Sequence, residues 1–581
     1  MSRLQINVVG ESGSGLLSTG EILVDALLDY GLFVFADREF PSLIKGGYSC
    51  LSLVLNDQKI SSHNYDCDVM LGLDKQGMIE FSKRICDGGV LVHGYEKLHG
   101  IADMTAELLK RDIDVENVEA RKLARSVGGN SLMTNVVLIG VLWKMFGLDY
   151  EYIENAVKIK FASKPKLLEI DLLALKAGYD SVAVDNILSS IISKLSPDKT
   201  LNESYTLMDG NKSVALGAVL ADCKTYYAYP MSPSSSILSY LSDWSPSTGM
   251  MVKQAEDEIT AVQLNIGSSY AGTRALTATS GGGFDLMTES VSLAAMIEVP
   301  LVVVDVQRPG PATGLPTWTA QADLNLLKHS GHGEYSRVVM SVSSAEDAAI
   351  LMQKAFDLAD KWQIPVLVLS EKFIADSMQV VSRNAFESLP VERYLESSSS
   401  DLVSEMRYGL SENGVSPRWI PGSNKVPYFA NGDEHFIDGR LTEDALKSRL
   451  MIDKRARKID YIVAELPEPE VIGESDAEIV LVGFGSTKMV VEDAIQVLED
   501  DGVHVSYIHY SYLHPLKTEV LISKFQSGAR VFLLEGNRSG QFGECIEAEL
   551  KTRVFEDKLL KYDGRPFYLN EVVEFVKSKL K

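Results

Sequence analysis

The chain has 581 residues, of which 45% are hydrophobic and 23% charged, and its formal net charge is -24. That length exceeds what one hydrophobic core supports, so three or four domains are expected. A general excess of carboxylates excludes nucleic acid and anionic membrane surfaces as partners, since both require clustered cations.

Five cysteines (Cys50, Cys67, Cys86, Cys223 and Cys545) lie far apart, with no CxxC pair and no zinc or iron–sulfur ligand spacing. Buried free thiols in a reducing compartment are the expectation. The N-terminus lacks a charged segment followed by an apolar one, and Asn7 and Glu11 interrupt the only candidate. The strongest apolar window, Val136 to Trp143, is too short to span a membrane. A soluble, cytoplasmic protein is therefore expected.

In chain order, Leu4 to Val9 reads as a strand, followed by GESGSG from Gly10 to Gly15 and a helical pattern. A glycine turn between strand and helix points free N–H groups at an anion. The next strand, Leu32 to Ala36, ends on Asp37, where a dinucleotide-binding unit places its ribose-binding carboxylate. Gly13 and Gly15 are followed by Leu, Leu and Ser, however, without the third glycine of that motif. EFPSLIKGGYS, Glu39 to Ser49, is a second Gly and Pro-rich loop carrying Lys45. Helices are expected over Ser131 to Phe146 and Tyr152 to Phe161, and polar Ser196 to Ser204 reads as a linker.

From Tyr205 the pattern alternates buried strands with loops of Gly, Pro, Ser and Thr, the places where open α/β sheets bind ligands. One strand ends at YPMSPSSS, leaving Ser232 as a hydrogen-bond donor to a ligand or a helix cap. Glu256, Asp257 and Glu258 open a helix expected to begin near Gln254. Successive helical residues point about 100° apart, so at most one of the three faces a buried site. The others favour the helix dipole. Thr279 leads into SGGGFDLM, and Arg308 follows LVVVDVQ directly, placed to fork onto a carboxylate or to form a salt bridge.

YPMSPSSS, QAEDE, ALTATSGGGFDLMTE, VDVQRPGPATGLPT and QADL, in this order and spacing, resemble the α subunit of 2-oxoacid:ferredoxin oxidoreductases. GESGSG with EFPSLIKGG resembles that family's γ domain fused upstream of α, as in its 2-oxoglutarate branch. The resemblance implies a multidomain α/β chain. Its parts are a γ-type domain over 1–196, a thiamine-diphosphate pyrimidine-binding-type domain with a long connection over 205–445, and a transketolase C-terminal-like domain over 475–581. It implies oxidative decarboxylation of a 2-oxoacid, 2-oxoglutarate foremost, to acyl-CoA and CO₂ with electrons passing to ferredoxin. The alternatives are an indolepyruvate or branched-chain 2-oxoacid enzyme, or a non-catalytic scaffold of the same fold.

The same resemblance assigns residues. Glu256 matches the glutamate that hydrogen-bonds the aminopyrimidine of thiamine diphosphate, with Tyr229, Pro230, Ser280 and Gly282 lining the cofactor. Arg308 matches the arginine that binds the 2-oxoacid carboxylate, with Ser232, where the family usually has threonine, and Thr313 beside it. Gly13, Gly15 and Lys45 are candidates for coenzyme A. No GDG motif occurs, so Mg²⁺, diphosphate binding and a [4Fe-4S] cluster are expected on a separate β subunit in a heterotetramer of two α and two β chains. No metal site is expected here: His435, with Glu434 and Asp438 nearby, has no second histidine near it.

Overall fold

Apolar runs stopped by Gly, Pro or polar residues form the strands of three sheets in the computed structural model, which describes residues 3–42, 47–95, 101–130, 133–183, 187–397, 401–423 and 425–580. The chain divides into two compact units. The first comprises Met1–Met208, Ser377–Arg383 and Tyr568–Glu574, and the second Asp209–Asp376, Asn384–Phe567 and Phe575–Lys581.

The first unit holds an eight-stranded mixed sheet in the order 114–117, 85–93, 67–72, 4–11, 48–56, 33–39, 378–382, 205–208. Leu4–Glu11 lies parallel to Cys67–Gly72 and antiparallel to Tyr48–Asn56. Phe33–Glu39 pairs antiparallel with Tyr48–Asn56 instead of lying beside the first strand. This order removes the dinucleotide-binding reading, which requires the first two strands to be parallel neighbours. Asp37 is accordingly buried, 3.7 Å from His63 Nε2.

Two helices of this unit explain the apolar window at Val136. Thr134–Phe146 packs on Pro165–Tyr179 so closely that a Cβ at Gly178 would lie 2.0 Å from the Val137 carbonyl, and one at Gly140 2.2 Å from that of Leu175. The apolar run is thus a core helix. No helix among the described residues is long and apolar enough to cross a membrane. Residues 196–204, expected as a linker, are bonded into the unit: Asp198 N donates to Gly31 O and Asn202 Nδ2 to Asp29 Oδ1.

The second unit holds two sheets. The larger is ordered 512–514, 338–341, 365–371, 301–307, 275–279, 225–228, 251–254, and is parallel throughout except for Tyr512–His514, which pairs antiparallel with Val338–Ser341. The smaller is ordered 470–473, 505–510, 479–484, 530–535, 557–560 and is parallel except at Glu470–Gly473. Parallel sheets are covered on both faces, which is why strands such as Leu301–Gln307 read as unbroken apolar runs.

A long, largely irregular connection leads to the helix Ala445–Glu465. That helix is fastened by Glu298, fully buried at φ 48, whose carboxylate receives Lys454 Nζ at 2.6 Å and lies 2.7 Å from Lys458 Nζ. Burial alone would raise this carboxyl, but Lys454, Lys458 and Arg407 together hold it well below the usual range. In the same connection Glu434 binds Arg455 at 2.7 Å and Asp438 lies 3.6 Å from Arg440, so the acids beside His435 are already engaged. Among the described residues no cluster of His, Cys, Asp or Glu could hold a metal. All five cysteines are free thiols, four of them buried and Cys86 half-buried.

Removing one partner of a buried ion cluster strands the others. Glu298→Ala, leaving two lysines without a counterion, is expected to destabilise the second unit by about 3–5 kcal/mol. Urea unfolding monitored by tryptophan fluorescence measures this, and an unchanged midpoint would contradict it.

Candidate active site

The site lies at the carboxyl ends of adjacent parallel strands, 301–307, 275–279, 225–228 and 251–254. Tyr229, Pro230 and Ser232 follow the third of these, Ser280 and Gly282 the second, Arg308 and Thr313 the first, and Glu256 the edge strand. The topology therefore brings these eight residues to one end of one sheet, the end where parallel α/β sheets bind ligands.

Arg308 is half-buried, and its Nη1 donates to the carbonyl of Ser232 at 2.7 Å. The contact between these two residues thus runs through the Ser232 backbone, and Ser232 itself is exposed. The helix Ser235–Thr248 starts after Ser234 with no side-chain cap, so Ser232 is not its cap. After Arg308 the loop folds back tightly: Leu315 N donates to Pro309 O at 2.9 Å, and Gly314 adopts φ 52, where a Cβ would lie 1.8 Å from that carbonyl. Thr313 is exposed on this loop.

Glu256 differs from expectation. The helix begins at Glu258, not near Gln254, because Asp257 is its N-cap, accepting from Thr260 N at 2.7 Å, while Met251–Gln254 is drawn into the sheet as a strand. Glu256 therefore sits in the turn between strand and helix. It is exposed, and its Oε1 accepts from Thr260 Oγ1 at 3.1 Å. Of the three consecutive acids, Asp257 caps, Glu258 is buried and Glu256 faces outward.

Ser280 is fully buried, and its hydroxyl has no partner among the described residues. Next to it, a Cβ at exposed Gly282 would meet nothing closer than Met231 Cε, at 3.4 Å. A flat molecule can therefore approach the backbone there. Gly13 and Gly15 lie in the first unit, exposed, at φ 92 and 86, in the turn that opens the helix Leu16–Tyr30. Lys45 falls outside the described residues.

Sequence reasoning missed three residues at this end of the sheet. Asp305 is fully buried in the strand that precedes Arg308, and burial together with the Asp323 charge pushes its carboxyl well above the ordinary range. Asp323 is pushed up to about 6, again by burial first. A carboxylate inside the run LVVVDVQ was the available signal for Asp305. Nothing in sequence pairs it with Asp323. The third is Gln321, bonded at every polar atom. Its Nε2 donates to Glu371 Oε1 at 3.0 Å and Phe484 O at 2.8 Å, and its Oε1 accepts from Gly536 N at 2.7 Å. Its N–H donates to Gly536 O at 2.8 Å, and its carbonyl accepts from Asn537 Nδ2 at 2.7 Å. Buried Glu371, at the end of its own strand, also receives Ser486 N and Oγ at 2.8 and 2.7 Å. The loop carrying Asp323 is thus clamped between the two sheets of the second unit.

Residues 216–452 match the family described as pyruvate flavodoxin/ferredoxin oxidoreductase, thiamine diP-binding, and residues 5–181 match pyruvate ferredoxin/flavodoxin oxidoreductase. An Aeropyrum pernix protein named 2-oxoacid:ferredoxin oxidoreductase 2, subunit alpha, is 29% identical over 100% of this chain and 98% of its own length. The 2-oxoglutarate synthase subunit KorA of Methanocaldococcus jannaschii is 32% identical over 54% of this chain and 84% of its own. Among solved structures, 2-oxoglutarate:ferredoxin oxidoreductase from Magnetococcus marinus, with 2-oxoglutarate, coenzyme A and succinyl-CoA bound, is similar with a TM-score of 0.89 at 29% identity, covering 100% of both chains.

Gln321→Ala removes the bonds to Glu371, Phe484 and Gly536 at once and is expected to cost about 2–4 kcal/mol, since buried partners are left unsatisfied. Hydrogen exchange should accelerate selectively in peptides spanning 319–325. Protection there equal to that of the parent chain would show that the clamp does not hold the loop.

Proposed function

Because this chain belongs to the family of 2-oxoacid:ferredoxin oxidoreductase α subunits, we propose that it oxidatively decarboxylates a 2-oxoacid, 2-oxoglutarate foremost, together with a β subunit. In the net reaction the C1–C2 bond of the 2-oxoacid breaks to release CO₂, and the thiol sulfur of coenzyme A bonds to C2. The thiol proton is released, and two electrons pass to ferredoxin. The observation that carries this reading is the convergence of Glu256, Ser280, Gly282 and Arg308 at one set of strand ends.

The residues fit thiamine diphosphate. Ser280 offers an unsatisfied buried hydroxyl, Gly282 leaves its backbone open, and Glu256 presents an exposed carboxylate in a fixed turn. When bound, that cofactor supplies the carbon nucleophile and the electron sink that loss of CO₂ from a 2-oxoacid requires. Glu256 would hold a proton in a hydrogen bond to the aminopyrimidine ring, with Tyr229 and Pro230 beside it. Arg308 is anchored through Nη1, and its remaining N–H groups can fork onto the substrate carboxylate, with Thr313 and Ser232 at its edge. We place coenzyme A at the Gly13–Gly15 turn, whose positive φ angles open the following helix toward an anion.

The exposed apolar side chains Tyr229, Ile259, Leu286 and Leu315 lie on the segments leaving these strand ends and suit a covering β subunit. We place Mg²⁺, diphosphate binding and the [4Fe-4S] cluster on that subunit, in a cytoplasmic assembly of two α and two β chains.

Anaerobic, coenzyme A-dependent viologen reduction by the chain co-expressed with its β subunit tests the reading. 2-Oxoglutarate is expected to be preferred over pyruvate and 2-oxoisovalerate; an assembled, cofactor-loaded complex inert with all three would sink it. Glu256→Gln should leave assembly intact and lower turnover by about 10²- to 10⁴-fold. Arg308→Lys, losing the fork, should raise the KM for the 2-oxoacid about tenfold or more and leave that for coenzyme A unchanged.

A further inference from the structure

We infer that Lys328 and Cys545 form an oxidation site, at which peroxide converts the Cys545 thiol to a sulfenic acid and the Lys328 amine captures it in a covalent S–N bond. The inference is independent of the proposed active site: neither residue touches it, and the bond can form whatever the substrate.

The two side chains meet where the short helix Leu324–Lys328 lies against the helix Gln541–Leu550. Lys328 Nζ donates to Cys545 Sγ at 3.3 Å, and the Cys545 thiol donates in turn to Asn325 Oδ1 at 3.9 Å. The contact follows from how the helices are fastened. Gln541 Oε1 accepts from Asn325 N at 3.0 Å, and Gln541 Nε2 donates to the Ala322 carbonyl at 2.8 Å. Helical residues three or four positions apart share a face, as 325 does with 328 and 541 with 545. Once Gln541 holds the start of the short helix, Cys545 is therefore brought to its far end, where Lys328 stands.

Among the described residues no carboxylate pairs with Lys328, and its Nζ has no partner besides that sulfur. A lysine beside a thiol is the setting in which cysteines become nucleophiles. The other four thiols lack it. Burial pushes Cys50 and Cys223 up to about 12 and raises Cys67 and Cys86 as well. Cys50 and Cys67 have no exposure, and half-buried Cys86 has Asp66, Asp68 and Asp87 around it, which raise it further. Cys545 keeps 7% exposure, so a molecule scarcely larger than water reaches it.

In the first step Sγ attacks hydrogen peroxide. An S–O bond forms, the O–O bond breaks and one water leaves; sulfur is oxidised by two electrons and peroxide is reduced. In the second, the Lys328 nitrogen, having lost one ammonium proton to solvent, attacks Sγ. The S–N bond forms, the S–O bond breaks, and the hydroxyl leaves as water with a further proton from nitrogen. Sulfenic acids condense in this way with backbone nitrogen, and here an amine already in contact takes that place. Thiol, amine and peroxide thus give the bridge and two waters, and an added dithiol reverses it by attack on sulfur. The bridge joins residues 217 positions apart and ties the loop beyond Gln321 covalently to a helix of the smaller sheet's half.

The test uses the complete αβ complex, kept anaerobic and reduced, then treated with hydrogen peroxide, quenched with iodoacetamide and digested for mass spectrometry. A linked peptide pair joining Lys328 to Cys545 is expected, lighter by two hydrogen atoms than the sum of its parts and lost on treatment with dithiothreitol. Lys328→Arg keeps the cation but removes the primary amine, so the linked pair should vanish and dimedone should trap Cys545 as the sulfenic acid. Cys545→Ser should abolish both products and leave turnover of the untreated complex unchanged. Cys545 left unmodified by peroxide, or carried to the sulfinic acid without a linked pair, would overturn the inference, as would a linked pair that survives in Lys328→Arg.

Discussion

The second unit depends on one amide. Gln321 has no polar atom without a partner, and those partners come from the ends of three strands in two different sheets. A loop would ordinarily run over the surface, where water satisfies its backbone. This one is held by the protein, with Gln541 Nε2 adding a bond to the Ala322 carbonyl at 2.8 Å. Fixing residues 321 and 322 fixes Asp323, and the turn at Gly281 closes on the carboxylate from the opposite side. The smaller sheet thereby shapes the larger sheet's site, although the candidate site residues of this unit all lie on the larger sheet.

Burial sets the charge pattern of this unit in two opposite ways. Asp305, Asp323, Glu371 and Glu535 all lie at or near strand ends, and desolvation raises each carboxyl, Glu535 to about 7. Glu298 is buried as deeply and moves the other way, because two lysines and Arg407 surround it. The difference is the neighbouring charge: a buried acid beside cations is an ion, and one beside other acids or neutral donors leans toward the neutral form. The first arrangement fastens the Ala445–Glu465 helix, and the second surrounds the site.

The parts of this arrangement that depend on local pattern were legible in the sequence. Unbroken apolar runs ending in Gly, Pro and Ser located the strand ends, and Arg308 was visible as the first residue after one of them. Glu256 lies in a different local structure from the one its pattern suggests, because Asp257 caps the helix that starts two residues later and the edge strand at 251–254 takes up the residues before it. Long-range order was not legible. Phe33–Glu39 borders Met378–Ser382, more than three hundred residues later, and no periodicity announces such a neighbour. Without strand order, GESGSG followed by Asp37 resembles a nucleotide site; with it, the second strand is separated from the first by a third. Asp305 and Asp323 belong to the same class, since each is an ordinary acid until the fold buries it.

The short strand Tyr512–His514 also bears on how separable the two sheets of the second unit are. It lies outside the smaller sheet and pairs with Val338–Ser341, occupying what would otherwise be the open edge of the larger one. An uncovered edge of buried, apolar composition is a template for pairing with another chain. A fragment ending at the long connection would expose that template even if its own core were complete. The C-terminal residues therefore act as an edge guard for a sheet they do not belong to by sequence, and any division of this chain into independently soluble halves must keep them with the larger sheet.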